Sequence, residues 1–382
     1  MTNVSIVRCK DYEQSNVDTA VQKALSLIGN LQDIIKPGNK VLLKVNLLDG
    51  TEPSKAVTTH PAIVKTIIEL IKKVGGIPII ADSPGSFSAN KNNRAIIKSG
   101  MKEIADAAGI EALQFESVNN SFVKINVPNA VHLKTMYVAR LALEADVIIS
   151  IPKLKTHLNT LYTGAVKNMF GVIAPKTRDI AHKLGSYKKF SNSIIDIYSA
   201  VKPHLNIMDA VIGMEGEGPH NGSPKFAGLV LASYDAVALD TVASKIIGFN
   251  PADIYTNSIA DKRGLGTGDL NKIRILGETI KDVSVNFKKS AITISNIPPM
   301  LMGIYNTVRR IEPLVIRDKC IKCGVCAESC PAKAIKLSPY PIINKNLCIS
   351  CFCCNEMCPE NAITTKKSWL LRLYGKLKGK NK

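Results

Sequence analysis

Apolar and polar positions along residues 1–295 repeat in a rhythm of strands and helices. Lys40-Val-Leu-Leu-Lys-Val-Asn46 reads as a short apolar strand after the turn Lys36-Pro-Gly-Asn39. From Pro61 to Val74 the residues Ile63, Ile67, Ile68 and Ile71 share one helical face, and Gly75-Gly76 stops the helix. Ile77 to Ala81 predicts the next strand, ending in Asp82-Ser-Pro-Gly85, and Gly100 to Ala108 predicts another helix. Ala145-Asp-Val-Ile-Ile-Ser-Ile151 is apolar on consecutive positions, the mark of a strand buried on both faces. Leu205 to Val211 and Ala227 to Ala232 predict two more strands, and Ala236 to Ile247 a helix. Alternation of this kind predicts an α/β domain: a mostly parallel sheet with helices on both faces.

The rhythm breaks after residue 295. Residues 296–313 read as a connector with a short amphipathic helix, Pro298-Pro-Met-Leu-Met-Gly-Ile-Tyr-Asn-Thr-Val-Arg-Arg310. A small C-terminal α+β domain is expected over 314–365. The tail, 366–382, interleaves Trp369, Leu and Tyr with Lys and Arg, which suits peripheral contact with an anionic membrane surface. Its two glycines weaken any helix there, so a frayed tail packing Trp369 on the domain is the plainer alternative.

Within 314–365 one cysteine pattern occurs twice, 28 residues apart. Cys320, Cys323, Cys326 and Cys330 precede Pro331; Cys348, Cys351, Cys354 and Cys358 precede Pro359. Both runs read C-x2-C-x2-C-x3-C-P, the spacing that holds two 4Fe–4S cubanes. The first three cysteines of a run reach three corners of one cluster, and the fourth ligates the other. Cys320, Cys323, Cys326 and Cys358 are therefore assigned to one cluster, and Cys348, Cys351, Cys354 and Cys330 to the second. Zinc sites space their cysteine pairs more widely, and disulfides require an exported chain. Cys9 and Cys353 stand outside the pattern. Each reads as a small buried apolar residue, with Cys353 also placed to tune a cluster through its sulfurs.

Composition narrows the setting. The 382 residues are 46% hydrophobic, enough for a sizeable core, yet no run of 18 apolar residues appears. The longest apolar stretch, Phe226 to Phe249, is interrupted by Asp235 and Asp240. The N-terminus carries no apolar signal core, and thiolate ligands need reducing conditions, so a cytoplasmic location is expected. The net charge of +19 suits an acidic redox partner, an anionic substrate or a membrane surface, or is a solvated lysine-rich surface. A single Trp and the lack of a helix-turn-helix or RNA-binding pattern argue against nucleic acid.

Polar residues in the large domain fall just beyond strand ends, where an open parallel sheet binds ligands. Lys44 and Asn46 close one strand; Asp82 and Ser83 close another. Ile151-Pro-Lys-Leu-Lys-Thr-His157 puts Lys153, Lys155 and His157 at the exit of the buried strand. Tyr162-Thr-Gly-Ala-Val-Lys-Asn168 follows, with Thr163 and Gly164 opening a helix that carries Lys167 and Asn168. A helix start flanked by lysines is an anion site. Asp209 ends a further strand before the loop Gly213-Met-Glu-Gly-Glu-Gly-Pro-His-Asn-Gly222. A strand follows that loop, and Glu215 and Glu217 repel phosphate, so it is no dinucleotide fingerprint. It reads as a flexible active-site loop or a turn. One lysine after a strand is ordinarily a solvated charge; Lys153, Lys155, His157 and Lys167 within 15 residues are what point to a site. His60, His132, His182, His204 and His220 stand alone, and His60 before Pro61 reads as a helix cap.

These residues carry a resemblance. Pro152-Lys-Leu-Lys-Thr-His157 followed by Thr163-Gly-Ala-Val-Lys-Asn-Met-Phe-Gly171 resembles the hallmark of the domain of unknown function 362 family. Lys44-Val-Asn46, the Gly213 to Pro219 loop and Ala236-Val-Ala-Leu-Asp240 are also similar. Members often carry a C-terminal two-cluster ferredoxin module. The resemblance implies an α/β iron–sulfur protein and no particular reaction. The expected function is electron transfer: the ferredoxin module exchanges electrons with a ferredoxin or flavoprotein and passes them to or from an anionic substrate or cofactor. On this reading His157, Lys155, Lys167 and Glu215 carry the chemistry. Lys44, Asn46, Asp82, Lys153, Thr163, Asn168 and Asp209 bind the cofactor. The alternatives are a non-enzymatic electron carrier or assembly subunit docking a larger redox complex, and a redox-sensing regulator.

Overall fold

Strands form here where β-branched residues and leucines can be covered on both sides. The computed structural model describes residues 1–85, 92–184, 186–290 and 312–366. It divides into two compact units, Met1–Ser290 and Ala291–Lys382. The expected connector helix within 298–310 and the tail beyond residue 366 lie outside the described residues.

The first unit is built on a ten-stranded sheet. Its strands are β1 (Thr2–Arg8), β2 (Lys40–Lys44), β3 (Ile77–Asp82), β4 (Ala112–Gln114), β5 (Val147–Ser150), β6 (Lys153–His157), β7 (Leu161–Thr163), β8 (Leu205–Glu215), β9 (Ser223–Ser233) and β10 (Ile273–Gly277). The order is β10-β1-β9-β8-β5-β2-β3-β4, with β6 pairing β8 and β7. Pairing is parallel except where β9 meets β1 and β8, and where β7 meets β6. A separate hairpin, Phe122–Asn126 with Thr135–Ala139, stands off this sheet.

Alternate side chains of each strand go to opposite layers. Val41, Leu43, Val147, Ile149, Leu205 and Ile207 join one apolar core; Leu42, Ile148, Met208 and Leu231 join the other. The first core is closed by α1 (Gln14–Ile28) and α2 (Pro61–Lys73). The second is closed by the short α3 (Ala165–Asn168), α4 (Tyr187–Ala200) and α5 (Ala236–Ile246). The helix α2 starts as expected: the His60 Nδ1 accepts the Ala62 N–H at 3.3 Å and Pro61 occupies the first turn. No helix among the described residues is long and apolar enough to cross a membrane.

Two expectations about the site segment change. Lys153–His157 is itself a buried strand rather than a loop leaving one. Its polar side chains are accepted in the interior because each finds a buried partner. Gly213–Glu215 extends β8, so the glycine-rich stretch is a hairpin turn into β9, narrower than a free loop. Thr163 ends β7, and Gly164 alone precedes α3.

The second unit holds two antiparallel strand pairs, Glu312–Val315 with Ile363–Lys366 and Ile335–Ser338 with Tyr340–Ile343. Two four-residue helices, Val325–Glu328 and Cys353–Glu356, follow the left-handed residues Gly324 and Phe352. They repeat one another as the sequence repeats.

Candidate functional site

The carboxyl ends of β2 and β3 bring Lys44 and Asp82 into a buried ion pair at 2.7 Å. The Leu47 and Ser83 N–H groups donate to the Asp82 carboxylate at 2.6 and 2.7 Å. The Lys44 ammonium also donates to the Asn168 Oδ1 at 3.2 Å, and the Asn168 amide returns a 3.0 Å bond to the Lys44 carbonyl. Burial disfavours both charges, lowering the Lys44 pKa and raising that of Asp82; each partner's charge opposes the shift. A Cβ at Gly171 would collide with the Asp82 carboxylate and the Lys44 ammonium, so only glycine fits there. Beside them the Asn46 N–H donates to Thr59 Oγ1 at 2.9 Å.

A second buried pair joins β6 to β8: Lys153 Nζ lies 2.8 Å from Asp209 Oδ2. Tyr12, from before α1, accepts from Lys153 at 2.8 Å and donates to Asp209 at 2.7 Å. Its ring stacks on His60 at 3.6 Å, and the His60 N–H donates to Asp209 at 2.8 Å. Burial lowers the Lys153 ammonium pKa and takes the His60 ring down to about 4. Lys44, Asp82, Lys153 and Asp209 thus hold one another in two pairs.

The remaining cations gather around His157. Lys155 is buried, its ammonium donating to the Val57 carbonyl at 2.8 Å. His157 Nδ1 accepts the Asn159 and Thr160 N–H groups at 2.9 and 3.3 Å. Burial first, then Lys167 and Lys155, hold the His157 ring well below its ordinary pKa. The ring is therefore neutral with its proton on Nε2, a hydrogen-bond donor. Lys167, half-buried on α3, sits 5.6 Å from the Phe170 ring centre. His182 stacks on Phe190 at 4.6 Å, its pKa taken to about 3 by burial and the charges of Lys167 and Arg178. Arg178 in turn pairs with Glu116 at 2.7 Å, and Ser83 donates to the same Glu116 oxygen at 2.6 Å.

Thr163 pairs with Lys155 across β6 and β7, within this group. Glu215 does not stand free beside it: its Oε2 accepts the Lys288 N–H at 2.9 Å. Sequence reasoning missed Tyr12, Glu116, Arg178 and Asp49, and read His182 and His220 as standing alone, whereas His220 lies 3.3 Å from Asp49. Asp240, noted as a break in an apolar run and within the family-like Ala236-Val-Ala-Leu-Asp240, supports this site from α5. Its carboxylate accepts from Ala165 N, Val166 N and Tyr162 OH at 2.7, 3.0 and 3.0 Å, fixing the start of α3. A lone acid inside an otherwise apolar helix was the available signal.

In the second unit Cys320, Cys323, Cys326 and Cys358 line one recess. The Cys326 thiol is pushed up to about 11, by burial and by Cys358, Cys323 and Cys320. Cys348 is raised by burial and by Cys351 and Cys330, and Cys354 by burial and by Cys351, Cys348, Cys330 and Cys326. Cys354 thus lies near thiols of both runs, Cys326 included. Ala334 N donates to Cys330 Sγ at 3.3 Å and Ala362 N to Cys358 Sγ at 3.2 Å, equivalent bonds in the two halves. Crowded thiols with raised pKa values become thiolates only beside a cation, and N–H···S bonds suit cluster sulfur ligands. The cysteine donors and their N–H···S bonds suit 4Fe–4S binding in their chemistry. The buried Cys353 hydrogen-bonds Cys351, lowering the pKa of Cys351 and raising its own.

Comparison with known proteins adds two family matches. The profile described as Domain of unknown function (DUF362) matches residues 41–245. The profile described as 4Fe-4S binding domain matches residues 313–336, the first cysteine run. A curated relative, the thylakoid-associated protein sll1697 of Synechocystis sp., is 32% identical over 268 residues, covering 69% of this chain and 80% of the relative. A solved structure, the lactate racemase apoprotein from Thermoanaerobacterium thermosaccharolyticum, aligns at 13% identity with a TM-score of 0.38 over 63% of this chain. The chain spans 58% of that racemase.

Proposed function

The chain belongs to the domain of unknown function 362 family, and on that premise we propose that it is an iron–sulfur electron-transfer protein serving an anionic small molecule. The second unit holds two 4Fe–4S clusters, one on Cys320, Cys323, Cys326 and Cys358, the other on Cys348, Cys351, Cys354 and Cys330. Such clusters supply electrons one at a time. The carrying observation is the recess that Cys320, Cys323, Cys326 and Cys358 line together, the first three of them in the part of the chain where the 4Fe-4S binding domain matches.

In the first unit the anion is held by Lys155 and Lys167. Their charge converges on a neutral ring, so His157 offers an Nε2–H to an oxygen of the bound molecule instead of taking up a proton. Arg178 adds to the positive field at His182. Lys44 and Lys153 serve by holding Asp82 and Asp209, and Lys44 with Asn168 sets the position of α3. Glu215, engaged with Lys288, has a structural part. An external ferredoxin or flavoprotein exchanges electrons with the second unit. A reducing, cytoplasmic compartment suits the thiolate ligands, and the basic tail at 366–382 offers contact with an anionic membrane, in keeping with the thylakoid association named for the Synechocystis relative.

Oxygen-free preparation tests the reading. About eight irons per chain and a 4Fe–4S paramagnetic signal on reduction are expected; zinc, or fewer than about four irons, refutes it. Lys155→Ala and Lys167→Ala in cluster-replete protein should lose a co-purifying anion seen by mass spectrometry. An anion retained unchanged removes those roles. A second reading draws on the two lysines already spent on internal carboxylates: the first unit docks a larger redox complex and binds no small molecule. A stoichiometric protein partner with no small molecule selects it.

A further inference from the structure

The two cysteine loops of the second unit match in sequence and differ in exposure. Ile321-Lys-Cys-Gly324 corresponds to Ile349-Ser-Cys-Phe352. Gly324 and Phe352 share a left-handed backbone, with φ of 82° and 62°. In the first loop Ile321 is 62% exposed, and Lys322 and the ligand Cys323 face solvent. In the second, the matching Ile349, Ser350 and Cys351 are half-buried, and Phe352 is 1% exposed.

The exposed loop is flanked by the hairpin of Ile335–Ser338 and Tyr340–Ile343. Leu337, 46% exposed, lies against Gly324, where an added Cβ would meet its Cδ1 at 3.3 Å. The Tyr340 ring carries the Lys322 ammonium at 4.7 Å and the Arg317 guanidinium at 5.6 Å from its centre. Lys319 is exposed beside them. The face has an apolar centre, Ile321 and Leu337, next to an exposed ligand sulfur, and a rim of Arg317, Lys319 and Lys322. Asp318 and Glu360 nearby leave it net positive.

We infer that this face docks an acidic one-electron carrier protein, and that the Cys320–Cys323–Cys326–Cys358 cluster exchanges electrons with it. The inference rests on the iron–sulfur reading above. Electron tunnelling falls steeply with distance, so the site that owns the one exposed ligand, Cys323, is the exchange point; the ligands Cys348, Cys351 and Cys330 of the other are half-buried. A basic rim steers an acidic partner and sets its orientation, while the apolar centre excludes water at contact. The exchange moves one electron: the carrier is oxidised by one unit, the receiving cluster gains one negative charge, and no bond or proton changes.

The test uses full-length, cluster-replete protein and a pre-reduced small acidic ferredoxin as probe, followed anaerobically by stopped flow. The second-order rate should fall about tenfold or more between low salt and about 0.2 M, as steering is screened. Lys322→Glu should lower the low-salt rate about tenfold, and Lys322→Gln by less. Lys345→Glu, beside Cys348, should leave it within about twofold. Paramagnetic spectra of each variant must show the clusters of the unaltered protein. Equal rates for Lys322→Glu and the unaltered protein, or a loss confined to Lys345→Glu, overturn the docking face while leaving the clusters standing. Salt-independent exchange together with binding to anionic vesicles reassigns the face to a membrane and overturns it too. Absence of cluster signals in the unaltered protein removes the iron–sulfur reading and this inference with it.

Discussion

Asp240 shows how one side chain can set a site it does not enter. Burial raises its carboxyl from the ordinary 3.8 to about 7, against bonds from Val166 N, Ala165 N and Tyr162 OH that favour the charged form. Since the folded pKa exceeds the unfolded one, the protonated acid favours the fold. That contribution is complete below pH 3.8 and is lost as pH rises through about 7. Between pH 5 and 8 this group alone should remove about 2.5 kcal/mol of stability. Asp240→Asn cannot titrate, so its denaturant midpoints at the two pH values should differ less than those of the unaltered protein. Identical pH slopes would show that the carboxyl titrates normally. At this scale the sequence announced the basic residues through their spacing, Lys153, Lys155, His157 and Lys167 in one short segment. It could not announce their partners. Tyr12 and Asp209 lie 197 residues apart and Lys44 and Asn168 lie 124 apart, so no local pattern links them.

Strands with consecutive apolar residues were legible because burial on both faces leaves that mark, and α2 because its isoleucines share one face: β2, β3, β5 and α2 fall within a few residues of expectation. β6 was not, because Lys-Leu-Lys-Thr-His reads as polar loop and becomes a strand only through its buried partners. The Lys153–Asp209 pair between β6 and β8 makes that dependence measurable. Asp209→Ala leaves a buried ammonium uncompensated and strips the His60 N–H and Tyr12 OH of their acceptor. A loss of about 3–5 kcal/mol is expected. The joint variant Lys153→Met with Asp209→Leu removes both charges and should lose clearly less than Asp209→Ala alone, read from chemical denaturation. If the joint variant is the less stable of the two, the pair contributes more than mutual compensation and β6 is held by the charges themselves. The hairpin turn after Glu215 follows the same logic: its glycines reflect close approach, since a Cβ at Gly218 would strike the Thr156 carbonyl of β6.

Across the whole molecule the two units stand on different foundations. The first has two extensive apolar layers, one on each face of its sheet. Among its described residues the second has a core of Cys326, Ile335, Cys354, Cys358, Ala362 and Ile363, half of it proposed cluster ligands. A core that small does not hold a fold by burial alone, and its crowded thiols disfavour the charged state they would need as ligands. Metal binding and folding are then one event for the second unit and separate events for the first. Stripping iron with a chelator under oxidising conditions should open residues 312–366 to protease while the thermal transition of the first unit moves by no more than about 2 °C. Limited proteolysis read by mass spectrometry, with circular dichroism melting of the same sample, follows both at once. A second unit that stays protected without iron would mean that its strand pairs suffice. Collapse of the first unit's transition would mean that the two stabilise each other, and the separate foundations argued here would not hold.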